Sequence, residues 1–150
     1  MISTKRAPRK RLSKKGVSSR AKAEALVGLV AQKKSRDIIA LDVSGSCAYA
    51  DYFIICSGHS SRQVQAIAEH VHAEAKQLGF YTLGQEGVKE GTWALLDFND
   101  VIIHIFYDEV RSFYDLEGLW SEADRLDLSQ IIPPEDLTGD DDEGEGDEED

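Results

Sequence analysis

The spacing of apolar residues changes repeatedly along this chain, and that change of period limits its fold more than any other feature. Apolar residues recur at helical spacing from Ala23 to Ala31, which predicts a first helix that ends near Lys33 and Lys34. Two short apolar runs, residues 38–43 and 52–56, are each bounded by turn-forming residues and predict buried strands. Helix and strand signals therefore alternate from the start.

A second helix is predicted from its two ends. Ser60 and Gln63 have the spacing of a capping box, in which each side chain satisfies a free backbone N–H. Gly79 ends the helix, because glycine most easily adopts a left-handed conformation.

The second half of the chain predicts a strand at residues 80–83, a loop at 84–91 and a hairpin of strands 93–98 and 101–107. Asn99 and Asp100 tolerate positive φ and form the predicted turn. A last helix is predicted over 111–126 because several apolar residues share one helical face. These residues are Phe113, Leu116, Leu119, Trp120 and Ala123.

The order α-β-β-α-β-β-β-α predicts a single α/β domain with a mixed, roughly five-stranded sheet and helices packed on it. We expect this domain to span residues 21–130, between a disordered basic arm at 1–20 and a disordered acidic tail at 131–150. The net charge of −11 conceals this division. Residues 1–22 hold nine basic and no acidic side chains, whereas residues 135–150 hold eleven acidic and no basic ones.

Several classes of protein are excluded by what the sequence lacks. The chain is 41% apolar and 30% charged, as in ordinary globular proteins, and it has no apolar run long enough to span a membrane. Its N-terminal residues lack the apolar segment of a secretory signal, so we expect none, although the acid-free N-terminus keeps a mitochondrial transit peptide as an alternative. Cys47 and Cys56 lack the spacing of a zinc site, and the four histidines show no ligand motif. We predict no metal and no cofactor.

The enzyme class that the sequence approaches most closely is nucleotidyl transfer. Gly45 and Ser46 lie between two predicted strands and Asp51 precedes the second, an arrangement that resembles the nucleotidyltransferase superfamily. Two-metal chemistry needs a second carboxylate two residues further on, where this chain has Phe53. The pattern predicts a nucleotidyltransferase-like fold with a degenerate site, and an active transferase or a nucleotide-binding protein remains the alternative.

The turn before the second helix is a candidate anion site. A helix N-terminus directs free backbone N–H groups at a ligand, and Ser57, Gly58 and Ser60 surround this one. The simpler explanation is a tight turn followed by a cap.

Residues 23–128 resemble the Iojap family, the bacterial ribosomal silencing factors (RsfS). Five blocks carry the resemblance, in order and without a departure inside any block. They are residues 33–43 (KKSRDIIALDV), 50–60 (ADYFIICSGHS), 86–97 (EG and GTWALLD), 100–106 (DVIIHIF) and 111–120 (RSFYDLEGLW). Both charged tails lie outside the resemblance.

The resemblance implies a translational repressor without enzymatic activity. Such a factor binds the large ribosomal subunit at large-subunit protein fourteen and sterically blocks joining with the small subunit. We expect a cytoplasmic bacterial protein, with the mitochondrial matrix as the minor alternative, and a monomer or a weak homodimer. The acidic domain suits a basic ribosomal protein, whereas the basic arm suits ribosomal RNA.

Eight residues are candidates for contact with the ribosomal protein, because aromatic and charged groups on the last strands and helix suit an interface. They are Trp93, Leu95, Asp97, Asp100, His104, Arg111, Tyr114 and Asp115. Structural alternatives stay open at this point. Trp93 also fits a core strand, His104 a buried histidine and Arg111 a structural ion pair.

Overall fold

The structure, a computed structural model, describes residues 17–133. The predictions made for residues 1–16 and 134–150 lie outside this range. The first helix begins at Ser19, so the last residues of the predicted arm belong to the domain. At the other end Ile132 is buried in the core, so the domain also extends beyond residue 130.

Within residues 17–133 the domain consists of four helices and six strands. The helices are α1 (Ser19–Ala31), α2 (Ser61–Gln77), α3 (Asp108–Tyr114) and α4 (Leu116–Leu119). The strands are β1 (Arg36–Asp42), β2 (Tyr52–Gly58), β3 (Gly84–Glu86), β4 (Trp93–Asp97), β5 (Val101–Tyr107) and β6 (Asp124–Arg125).

Local signals set the ends of α2. The Ser60 hydroxyl accepts from the Gln63 N–H at 3.0 Å, and the Gln63 side chain accepts from the His59 N–H at 2.7 Å. The reciprocal cap predicted from the sequence is thus present, with its second bond displaced by one residue. Gly79 follows the helix with a φ of +89°, as its predicted role requires.

The sheet is mixed and open, in the order β3-β4-β5-β2-β1-β6. β2 and β5 pair in parallel, and the other neighbours are antiparallel. Asn99, at a φ of +82°, turns β4 into β5. The predicted α/β class and mixed sheet are confirmed.

Each face of the sheet carries its own apolar core. α1 and α2 cover one face and bury residues such as Leu26, Ile67 and Ile103. The other face is covered by the β1–β2 loop and by the segment that contains α3 and α4, with Phe53, Phe106 and Leu116 inside. Because β2 and β5 are covered twice, they are apolar on both sides.

Two elements differ from the sequence prediction. Residues 80–83 form no strand, since Phe80 turns into the core and its N–H donates to the Ala75 carbonyl, which closes the end of α2. The third strand, β3, lies instead inside the predicted loop.

The predicted helix 111–126 is interrupted at Asp115, which adopts a left-handed conformation with a φ of +47°. Its N–H caps α3 by donating to the Arg111 carbonyl, and its side chain caps α4 by accepting from the Gly118 N–H. The break changes the direction of the chain, so Phe113 and Leu119 are exposed rather than buried.

Candidate functional site

Trp93 begins β4 on the face of the sheet that α3 and α4 only partly cover. Its indole Nε1–H donates to Nδ1 of His104 on the neighbouring strand β5, at 3.1 Å. The ring also packs on Phe106, with the centroids 4.8 Å apart. Trp93 is half-buried, so one part of the indole is fixed inside and another part faces outward.

An exposed run of aromatic rings continues from Trp93 onto α3. The Tyr114 ring lies 4.9 Å from the Trp93 ring, and the Phe113 ring lies 5.1 Å from that of Tyr114. Phe113 is 81% exposed and Tyr114 is 50% exposed. We call Trp93, Phe113 and Tyr114 the aromatic patch. Leu119, 77% exposed, follows in α4.

Arg111 holds the segment that carries this patch. Its guanidinium donates to the Ser57 hydroxyl of β2 at 2.8 Å and forms an ion pair with Glu117 of α4 at 2.9 Å. Arg111 is buried, so these bonds tie α3 and α4 to the sheet. The structural ion pair considered for Arg111 is therefore present, and a direct partner contact by its side chain is not supported.

Four more of the predicted contact residues are buried, namely Leu95, Asp97, Asp100 and His104. The Asp100 carboxylate pairs with Lys22 of α1 at 2.7 Å, and Lys22 also donates to the Phe98 carbonyl at 2.6 Å. Asp97 accepts from the Asn99 N–H at 2.8 Å in the hairpin turn. These carboxylates serve the fold, and we remove them from the proposed contact surface.

Asp115 is exposed, but its side chain already caps α4. Of the eight predicted contact residues, the structure therefore brings Trp93 and Tyr114 together at the surface. Phe113 and Leu119 were missed as surface residues because the prediction of one continuous helix placed both on its buried face. The aspartate at position 115 is the sequence signal that could have indicated a break in the helix, since aspartate is among the few residues that adopt a left-handed conformation readily.

The nucleotidyltransferase-like positions do not form a metal site. Gly45 and Ser46 lie in an exposed turn, while Asp51 is buried and accepts from the Ser19 hydroxyl at 2.8 Å. Phe53 fills the position of the second carboxylate and is packed into the core. Between residues 17 and 133, no group of three or more His, Cys, Asp or Glu side chains could hold a metal ion.

The candidate anion site is occupied by the protein itself. The Ser57 hydroxyl is buried under Arg111, and the Ser60 hydroxyl caps α2. A Cβ on Gly58 would lie 3.2 Å from Val64, so this glycine allows β2 to pack closely on α2. The turn-and-cap explanation accounts for all three residues.

Burial controls the ionisation of two side chains. His104 is fully buried, and loss of hydration lowers its pKa to about 3, so the imidazole is neutral at pH 7. Burial likewise raises the pKa of the Cys56 thiol to about 12. Cys56 and Cys47 are both buried and form no disulfide.

None of the helices within residues 17–133 has the length and apolar character needed to cross a membrane.

Fold and patch together define the class: a single-domain α/β protein with an exposed aromatic surface, a feature typical of proteins that bind a macromolecular partner.

Comparison with known proteins makes the class specific. The profile of the family described as "Ribosomal silencing factor during starvation" matches residues 17–150. The ribosomal silencing factor RsfS of Bacillus subtilis is 45% identical over 96 residues, which cover 64% of this chain and 81% of that protein. RsfS of Halalkalibacterium halodurans is 38% identical over 106 residues, or 71% of this chain and 91% of that one.

A solved structure agrees with these relatives. The crystal structure of a Chromobacterium violaceum protein superposes with a TM-score of 0.68 at 33% identity, covering 70% of this chain and 88% of that one. The chain belongs to the family of ribosomal silencing factors, as the sequence blocks predicted.

Proposed function

We propose that this protein represses translation by binding the large ribosomal subunit at large-subunit protein fourteen, through the aromatic patch, and so blocking the small subunit. The observation that carries the proposal is the chain of three aromatic rings, Trp93, Tyr114 and Phe113, which ends in Phe113, exposed on a short helix. A phenylalanine exposed to this extent buries little of its apolar surface when the domain folds. Most of that surface is removed from water only when a partner covers it. The action requires occupancy of a surface and no chemical step.

The charge around the patch supports a basic protein as the partner. Residues 108–125, which carry α3 and α4, contain six acidic and two basic side chains, and one of the two basic residues, Arg111, is already paired. An apolar patch carried by an acidic segment complements a basic protein surface, whereas that segment would repel the phosphates of bare RNA. The bacterial relatives also favour a cytoplasmic site of action.

A sedimentation experiment with one matched pair of variants tests the proposal. Phe113→Ala removes the most exposed ring of the patch. Tyr81→Ala removes another exposed ring, 62% accessible, at a distance from it. The Leu83 N–H donates to the Asp97 carbonyl, so residues 81–83 lie near the end of β4 opposite Trp93, about 13 Å along the strand.

Phe113→Ala should lower the affinity for the large subunit about tenfold or more, and Tyr81→Ala should leave it within about twofold. Subunit joining should recover in parallel with the loss of binding. Equal binding by both variants, or joined ribosomes unaffected by the unmodified protein, would refute the proposal.

The alternative of nucleotidyl transfer has a separate test. The protein is incubated with Mg²⁺ and labelled nucleoside triphosphates, and the same assay is run on Asp51→Ala. We expect no transfer from either protein, because Phe53 occupies the position of the second metal ligand. Robust transfer that Asp51→Ala abolishes would overturn the proposed mode of action.

A further inference from the structure

The indole of Trp93 has a fixed partner inside the domain. Its contacts with Phe106 and Tyr114 are ring contacts, which tolerate a range of orientations. The hydrogen bond from Nε1–H to Nδ1 of His104, at 3.1 Å, is directional and therefore sets the plane of the indole. His104 extends from β5 and Trp93 from β4, so two paired strands define this geometry.

His104 is suited to accept this bond because it stays neutral. Burial keeps its pKa far below the physiological range, and a neutral imidazole offers one acceptor nitrogen and one N–H. Since Nδ1 accepts from Trp93, the proton lies on Nε2. Among residues 17–133, no group accepts a hydrogen bond from Nε2.

This arrangement disfavours a purely structural role for His104. A buried N–H without an acceptor destabilises a fold, and an apolar ring of similar size would avoid that penalty. The neighbouring rings of Phe53 and Phe106 form an environment in which phenylalanine would pack readily. The histidine is better explained by what its other nitrogen does for Trp93.

We propose that His104 is a positioning residue for the ribosomal contact: it orients the Trp93 indole so that the aromatic patch presents one defined surface to the partner. The inference rests on the proposed function of that patch. His104 is fully buried and acts only through Trp93.

Two substitutions separate positioning from packing. His104→Phe keeps a ring and removes the acceptor. His104→Asn keeps an acceptor, because its carbonyl oxygen is bonded to Cγ, as Nδ1 is in histidine. Affinity for the large subunit is measured by co-sedimentation, and the indole N–H resonance of Trp93 is followed by NMR, with Trp93→Phe used to assign it.

We expect His104→Phe to shift the Trp93 indole resonance and to weaken binding about two- to tenfold, the usual net contribution of one hydrogen bond. Its free energy of unfolding at pH 7 should change little, because the unpaired Nε2–H of His104 is removed while the Nε1–H of half-buried Trp93 loses its acceptor. His104→Asn should restore the resonance and most of the affinity. In a Trp93→Phe background, His104→Phe should cause no further loss of binding.

Normal binding by His104→Phe, or an equal loss in the Trp93→Phe background, would overturn the inference while leaving the proposed function intact. If the unmodified protein fails to co-sediment with the large subunit, the proposed function fails and this inference fails with it.

Discussion

Acid should destabilise this protein through His104, and burial gives the sign of the effect. The imidazole is fully buried, which lowers its pKa to about 3 in the folded state. In the unfolded chain it titrates near the ordinary histidine value of about 6.5. Between these values the unfolded state binds one more proton than the folded state, so the free energy of unfolding falls as the pH falls.

The size of the effect follows from the same two values. Between the two pKa values, each unit by which the pH falls lowers the free energy of unfolding by about 1.4 kcal/mol. The reason is that the histidine is protonated in the unfolded chain and must release this proton when it is buried on folding. Between pH 7 and pH 5 the loss is about 2 kcal/mol. That is a large fraction of the 5 to 15 kcal/mol by which domains are usually stable.

Urea unfolding at pH 7, 6 and 5, followed by circular dichroism, measures this loss in the unmodified protein and in His104→Phe. Other titrating groups contribute to both proteins, so the difference between the two curves isolates His104. We expect the curves to diverge by about 2 kcal/mol at pH 5, with the variant less sensitive to acid. Parallel curves would show that His104 is protonated to the same extent in both states and would refute its burial as a neutral group.

Three further predictions concern the core. Lys22→Met leaves the Asp100 carboxylate buried without its cation and should lower the free energy of unfolding by about 3 to 5 kcal/mol in urea titrations; an effect below about 1 kcal/mol would contradict a buried pair. Gly91→Ala should lower the melting temperature by about 5 °C or more, since φ is +72° and a Cβ would lie 2.7 Å from the Ser61 carbonyl oxygen; calorimetry that shows an unchanged midpoint would exclude this strain. Cys56 should resist iodoacetamide at pH 8 until the protein is unfolded, because its thiol is buried and its pKa is raised to about 12; peptide mapping that finds it alkylated in the folded protein would contradict this.

The parts of the fold that the sequence predicted are those set by neighbouring residues. The caps of α2 and the Asn99 turn depend on contacts within a few positions, and both are present. The prediction of a strand at residues 80–83 was wrong because Phe80 packs into the core. This packing depends on residues distant in sequence, which local strand propensity does not take into account. The prediction of one continuous final helix was wrong because Asp115 ends α3 and begins α4, capping both helices.

The candidate site was predictable only in part, for the same reason. Trp93 and Tyr114 could be proposed from residue type. Their neighbour Phe113 could not, because its exposure follows from the break in the helix. Charged residues misled the prediction, since Asp100 and Arg111 resemble interface residues in type and pair inside the domain. Residue type alone does not distinguish a charged side chain that contacts another protein from one that forms an ion pair inside its own domain.

The pairing of Lys22 with Asp100 also has a consequence for synthesis on the ribosome. The two residues are 78 positions apart, so Lys22 in α1 leaves the exit tunnel well before Asp100, whose carboxylate neutralises the Lys22 ammonium group. At 5 to 20 residues per second, the interval is roughly 4 to 16 s. During that time β2 also lacks its parallel neighbour β5. The nascent N-terminal half therefore cannot complete its core by itself, and folding of the domain awaits the emergence of the hairpin formed by β4 and β5.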